Sequence, residues 1–180
     1  MGDAGGVAAL PRRVRVRQYS REDYAAVTKL FVQGMCSYPA HEDAYNLQYI
    51  NECLSADLAD IEGTYLHAGG NFWVAVLDEE DGSGDCGEVA GMVALEKKTD
   101  TEGELRRMSV SAKYKRIGIG RLLVAHLETW AKKNGFTTVI LNTGTVMPEA
   151  CVFYKSVGYT ETHTEMESDE YEVQCFLKKL

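Results

Sequence analysis

The run Glu104-Leu-Arg-Arg-Met-Ser-Val110, Ser111-Ala-Lys-Tyr114, Lys115-Arg-Ile-Gly-Ile-Gly-Arg-Leu-Leu123 decides how the rest of the chain is read. Its opening segment, Glu104 to Val110, has strand character, with Met108 apolar and Val110 β-branched. Its last segment opens a helix. Leu122, Leu123, Leu127 and Trp130 recur at helical spacing, and Gly135 behind Asn134 supplies a C-terminal stop. Between strand and helix lies a glycine-spaced loop. Gly118 and Gly120 allow the main chain to approach a ligand without a Cβ in the way. The helix that follows leaves its first N–H groups unpaired and places the positive end of its dipole there. Such a turn binds anions, and a pyrophosphate suits it well. From Leu105 to Arg121 there are six basic residues and no acid, in a chain whose net charge is −8.

Two common phosphate loops fail against these letters. A Walker loop ends in Gly-Lys-Ser/Thr, which does not occur here. A dinucleotide fingerprint needs a small residue three places after the second glycine, where Leu123 stands. The spacing present is basic-x-x-Gly-x-Gly, from Lys115 to Gly120.

Outward from this stretch, the composition is that of a soluble globular domain, 45% apolar and 26% charged over 180 residues. The acidic balance disfavours nucleic acid as a partner. The five cysteines are odd in number, scattered and without a C-x-x-C pair, which argues against a disulfide framework or a zinc motif and for a reducing compartment. No apolar run reaches the ~20 residues of a membrane span, so a cytoplasmic location is expected.

Along the chain, residues 1–11 read as a loose tail and 12–180 as one domain. A first strand is expected near Arg12 to Tyr19. A helix capped by Ser20 with Asp23 should follow, burying Tyr24, Val27, Leu30 and Phe31 and ending near Gly34. After Pro39, Leu47, Ile50, Leu54, Leu58 and Ile61 predict a second amphipathic helix. Phe72 to Leu77 and Glu88 to Lys97 read as paired strands joined by an exposed loop. Thr138 to Asn142 is a further strand, and Pro148 starts a helix that carries Ala150, Phe153, Tyr154 and Val157 and stops at Gly158. Glu170 to Leu177 belongs to the final strands.

The Lys115–Gly120 spacing resembles the acyl-coenzyme A signature of the GCN5-related N-acetyltransferases (GNAT), with Lys115 in place of the usual Arg or Gln. A second stretch, Asn142-Thr-Gly-Thr-Val-Met-Pro-Glu-Ala-Cys-Val-Phe-Tyr-Lys-Ser-Val-Gly-Tyr159, is similar to that family's late motif through Ala150, Phe153, Tyr154, Gly158 and Tyr159. Met147 stands where most members carry Asn, and the form is nearest to the camello-like branch, here without a membrane anchor. The resemblance implies an α/β (α+β) fold in β-α-α-β-β-β-α-β-α-β-β order: a twisted, mostly antiparallel mixed sheet of six or seven strands with about four helices.

The resemblance further implies acetyl-CoA as donor and an amine as acceptor, small or on a protein. Its pantetheine would lie beside Met108, Ser109 and Val110, with an amide near Met108 or Ser109 facing the thioester oxygen. The loop Lys115, Arg116, Ile117, Gly118, Ile119, Gly120 and Arg121 would hold the pyrophosphate, and Asn142 could reach the pantetheine arm. Tyr154 is the candidate proton donor and Glu104 the candidate base. The acceptor would enter near Tyr38, His41, Glu42 and Tyr45. His126 reads as structural, and no histidine spacing suggests a metal. A non-catalytic acyl-CoA-binding module of the same fold is the alternative, and a homodimer is left open.

Overall fold

The computed structural model describes residues 13–37, 44–78, 87–168 and 171–180. The tail, Pro39, Tyr38, His41, Glu42 and the tip of the loop between the paired strands lie outside them. Among the described residues seven strands and four α-helices follow one another as β1 (Val14–Gln18), α1 (Tyr24–Met35), α2 (Ala44–Ser55), β2 (Asn71–Leu77), β3 (Glu88–Lys97), β4 (Glu102–Val110), α3 (Ile119–Lys133), β5 (Thr138–Gly144), α4 (Pro148–Ser156), β6 (Thr160–Met166) and β7 (Glu172–Lys179). The order expected from the sequence is the order found.

The strands form one sheet, β1-β2-β3-β4-β5-β7-β6. Every neighbouring pair is antiparallel except β4 and β5. Strand β2 (N-F-W-V-A-V-L) is buried on both faces, and its alternation divides the core. Phe72, Val74 and Val76 join Val27, Leu30, Phe31 and Ile50 from α1 and α2. Trp73, Ala75 and Leu77 join Ile119, Leu123 and Leu127 from α3 and Tyr154 from α4.

Several local expectations are corrected by packing. Tyr24 is 41% exposed because a short 3₁₀ turn at Arg21–Asp23 precedes α1 and rotates its first residue outward. The Asp23 carboxylate still accepts the Ser20 N–H at 2.9 Å, as the capping pattern requires. Leu47 and Leu122 point to solvent, at 50% and 41% exposure. The inner stripe of α3 is Ile119, Leu123, Val124, Leu127 and Ala131. The second helix ends at Ser55 rather than running to Ile61, and a π-helical turn at Glu62–Leu66 follows, where Gly63 suggested only loosened chain. Leu58 and Ile61 are buried all the same.

The parallel pairing is what makes room for a site. β4 and β5 are in register only from Glu102 to Glu104 against Thr138 to Ile140. Beyond that point β4 keeps pairing with β3 as far as Val110, and β5 with β7 as far as Gly144. The two central strands therefore part, and a wedge opens in the middle of the sheet.

Candidate functional site

A cleft of about 950 Å³ occupies the wedge. Met108, Ser109 and Val110 line one wall and Asn142 the other, with the Lys115–Arg121 loop at one end and Tyr45, Tyr171 and Glu167 at the opposite end. The cleft thus joins the expected cofactor loop, strand edge and acceptor side in one continuous space.

The loop has the backbone of an anion nest. Arg116 and Gly118 are left-handed, at φ 67° and 94°, on either side of Ile117. A Cβ at Gly118 would meet nothing within 4 Å, so the glycine is needed for its dihedral and leaves open space above it. At Gly120 a Cβ would sit 3.2 Å from Met108 and Phe153, so this glycine serves the close seating of α3 on β4 and α4. The Leu122 N–H is the one that closes on the Gly118 carbonyl, at 3.0 Å, and the preceding first-turn amides have no helical acceptor.

The basic residues divide in a way the sequence does not reveal. Arg106 pairs with Glu96, Arg107 with Asp57, and Lys113 with Glu88 at 3.1 Å. The Arg121 guanidinium donates to the Ser156 carbonyl and hydroxyl at 3.0 Å each. Lys115 and Arg116 are exposed and carry no ion pair among the described residues, and Arg121 bonds to the neutral Ser156, so the cationic field at the nest comes from these three side chains.

Beside the nest, β4 carries a bulge. Ala94 faces Arg106 while Met92 faces Ser109, leaving Arg107 and Met108 together opposite Val93. Arg107 takes the left-handed conformation there, φ 54°, which costs an L-residue roughly 1–2 kcal/mol. Its side chain is held from four directions. Nε and Nη2 donate to the two Asp57 carboxylate oxygens at 2.7 and 2.5 Å, and Nη1 donates to Tyr49 Oη at 3.2 Å. The guanidinium also lies 5.3 Å from the Phe31 ring centroid. Tyr65 donates to Asp57 at 2.5 Å. Burial pushes the Asp57 carboxyl up, but the Arg107 hydrogen bonds and charge outweigh it and hold it below the usual carboxylate range. Burial, with the adjoining Asp57 charge, drives the Tyr65 phenol well above its ordinary value.

Glu104 sits where the strands part, its carboxylate 3.2 Å from Lys98 Nζ. Lys98 in turn reaches Glu96, the partner of Arg106, so charges alternate along this edge of β3 and β4. Tyr154 is buried at 7% exposure while lining the cleft. Its ring packs on Phe153, Tyr159 and Phe176 at 5.3, 6.0 and 5.9 Å between centroids, which fixes the phenol against rotation. Asn142 is turned aside: its Nδ2 donates to Glu165 at 3.4 Å, across β7.

Three features of the acceptor end are absent from the sequence reading. Glu167 follows β6 and stands in the cleft wall. Desolvation there, with a contribution from Glu104 against the lowering effect of Arg106, raises its carboxyl above the usual range. Tyr45 and Tyr171 stack across the mouth at 4.9 Å between centroids. The Asp57–Arg107 pair is the third. One signal for it was present in the letters: Leu105 and Met108 both face α3 although three residues apart, a break in strand alternation that marks a bulge. Of the other expected acceptor residues, Tyr45 lines the cleft, whereas Tyr38, His41 and Glu42 lie outside the described residues. His126 contacts Trp73 edge-on at 5.7 Å, and burial depresses its pKa, as befits a packing residue.

Comparison with known proteins agrees with this architecture. The chain is 40% identical over 119 residues to N-acetyltransferase family 8 member 2 of Rattus norvegicus, a stretch that is 63% of this chain and 49% of that protein. The chain spans about half the length of the curated relatives it matches. An acetyltransferase of the GNAT family from Staphylococcus aureus superposes with a TM-score of 0.72 at 18% identity, covering 93% of this chain and 99% of that one. The PaiA N-acetyltransferase of Thermoplasma acidophilum, solved in complex with coenzyme A, superposes with a TM-score of 0.70 at 17% identity, covering 93% and 99%. The model of the acetyltransferase (GNAT) family matches residues 37–159, from the end of α1 through α4, and the chain belongs to that family.

Proposed function

We propose that this chain is an acetyl-CoA-dependent N-acetyltransferase that moves the acetyl group directly to a primary amine. The observation that carries the reading is the continuous cleft, which runs from a cationic backbone nest past a bulged strand edge to a buried tyrosine. The residues fit the donor: open space over Gly118, first-turn amides without a helical acceptor, and Lys115 and Arg116 without an ion pair among the described residues suit a pyrophosphate. The loop Lys115–Arg121 holds it, chiefly through main-chain N–H groups with Lys115 and Arg116. Met108, Ser109 and Val110 offer the pantetheine a strand edge, and an amide near Met108 or Ser109 donates to the thioester oxygen. Bound acetyl-CoA supplies the activated acyl group.

In the transfer a C–N bond forms and the C–S bond breaks. Glu104, directly or through water, takes the proton that the amine loses. Tyr154 gives its hydroxyl proton to the departing sulfur. A phenol with a pKa near ~10 donating to a thiol near ~8.5 is uphill by roughly 2 kcal/mol, a cost that concerted transfer offsets. Glu167 and Glu104 flank the acceptor end and favour a cationic or amine-bearing acceptor over an anionic one. The four described cysteines are all free thiols. No helix among the described residues is long and apolar enough to cross a membrane.

The reading is tested by thiol release from acetyl-CoA over a panel of small amines, amino acids and peptides. Turnover on at least one amine supports it. Tight coenzyme A binding without turnover on any of them would favour a non-catalytic acyl-CoA-binding module.

A further inference from the structure

On the sheet face away from α3 and α4, the last two strands bring three unlike donor side chains together. His163 and Glu165 on β6 and Cys175 on β7 each present one ligand atom, and the three atoms lie within 4.8 Å of one another. The juxtaposition depends on an irregular register. Glu161 pairs with Phe176 and Thr164 with Gln174, so both Thr162 and His163 stand opposite Cys175. Gln174 fixes the displaced backbone by donating from Nε2 to the His163 carbonyl at 2.7 Å.

The surrounding hydrogen bonds decide which atoms face inward. The single Thr162 hydroxyl hydrogen is committed to the Cys175 carbonyl at 3.2 Å. Thr162 Oγ1 can then only accept from His163 Nδ1, 3.1 Å away, which puts the imidazole proton on Nδ1 and a lone pair on Nε2. Asn142 Nδ2 donates to Glu165 Oε1, leaving Oε2 for the interior of the cluster. His163 Nε2 therefore faces Glu165 Oε2 at 3.6 Å, and the Cys175 thiol donates a hydrogen bond to the same carboxylate. The 3.6 Å between His163 Nε2 and Glu165 Oε2 is the separation of two ligands of a tetrahedral metal, roughly 3.3–3.8 Å for bond lengths of about 2.0–2.3 Å, and Cys175 Sγ closes on them by a side-chain rotation. Both exposed ligands have the outer hydrogen-bond partners that metal-binding imidazoles and carboxylates need.

We infer that His163, Glu165 and Cys175 form a site for a zinc-class divalent cation, with water in the fourth position. One nitrogen, one sulfur and one carboxylate oxygen suit zinc and disfavour magnesium or calcium, which take oxygen ligands. On binding, the Cys175 S–H bond breaks, its proton leaves to solvent and a sulfur–metal bond forms, with no change of oxidation state. The ion ties the edge strand β6 to β7. It also bears on the cleft, because Asn142 both lines that space and holds Glu165. The inference is independent of any acetyl transfer.

The test is calorimetric titration of the full chain, stripped with chelator and kept reduced by a phosphine, with zinc chloride. One ion per chain at micromolar or tighter affinity is expected, with a melting temperature raised by roughly 5–10 °C at about a hundredfold excess over Kd. Thr162→Val, which removes the acceptor for Nδ1 together with the hydrogen bond to the Cys175 carbonyl and leaves all three ligands in place, weakens binding roughly tenfold. His163→Gln and Glu165→Gln, both at exposed edge positions, weaken it further and leave the circular dichroism spectrum unchanged. Cobalt in place of zinc gives a thiolate-to-metal charge-transfer band that Cys175→Ser abolishes. No binding by the wild type, as when a proton alone bridges His163 and Glu165, overturns the inference. So does affinity that survives in His163→Gln and Glu165→Gln, which do not disturb the buried Cys175.

Discussion

Arg107 and Asp57 form a forked ion pair, 2.7 and 2.5 Å between their atoms, and it fastens the one left-handed residue of β4 to the turn beyond α2. The pair is nearly sealed from water, with side chains 5% and 9% exposed. A bulge that costs energy persists only where its surroundings over-determine it. Here the acceptor-side elements that carry Phe31, Tyr49, Asp57 and Tyr65 do so.

Removing one partner should therefore be expensive. Asp57→Ala leaves a buried guanidinium without its counter-charge and is expected to destabilise the fold by about 3–5 kcal/mol, read from urea unfolding. Asp57→Asn, which keeps the shape, should lose less while still lowering kcat, because the amides after Arg107 are no longer held. A loss under 1 kcal/mol for Asp57→Ala would show that the pair does not fix the bulge.

The pH dependence of stability follows from the buried groups. His126 has a depressed pKa, from burial first and Lys133 second, so the unfolded chain takes up its proton before the folded one. That contribution is complete above about pH 6.5 and is lost as pH falls through the lower folded value. Asp57 and Asp23, also depressed, contribute fully above the usual carboxylate range, near 3.8, and that stability is lost only in stronger acid. Thermal melts should thus weaken in two stages, and His126→Gln should flatten the first while sparing the second.

Two glycines of the loop should respond differently to alanine. Gly118→Ala strains a left-handed residue and crowds open space over the nest, so coenzyme A affinity is expected to fall by about tenfold or more. Gly120→Ala presses on Met108 and Phe153, and its effect should show first as a lower melting temperature. Equal loss of coenzyme A affinity in both would remove the distinction.

Much of this arrangement was legible because it is local. Strand, nest and helix from Glu104 to Leu123 are contiguous, Pro148 and Gly158 bracket α4, and glycine at left-handed positions shows directly in the letters. What was hidden depends on pairs remote in sequence. Arg107 finds Asp57 fifty positions away, Arg106 turns to Glu96, and these pairings subtract charges that a count along the chain assigns to the cofactor. Glu167 and the Tyr45–Tyr171 stack meet the cleft only because β7 inserts between β5 and β6. No periodicity within a segment reports such a crossing. The outward rotation of Tyr24 and Leu122 is hidden for a related reason: a small shift in where a helix begins changes which of its apolar residues faces the sheet.

The two acceptor-end carboxylates should separate kinetically. Glu104→Gln is expected to lower kcat by roughly 10²-fold or more, as loss of a general base does. Glu167→Gln should chiefly raise KM for a cationic amine, with kcat within a few-fold, since it stands at the mouth rather than where the strands part. The opposite split would exchange their roles.

The central claim is that the nest aims the donor's sulfur at a fixed phenol, and Tyr154→Phe tests it most directly. The substitution keeps the ring packed on Phe153, Tyr159 and Phe176 and deletes one hydroxyl. Thiol release from acetyl-CoA at saturating amine, measured beside coenzyme A affinity, should fall by roughly 10²–10⁴-fold while that affinity stays within a few-fold of wild type. Turnover unchanged in Tyr154→Phe would contradict the account.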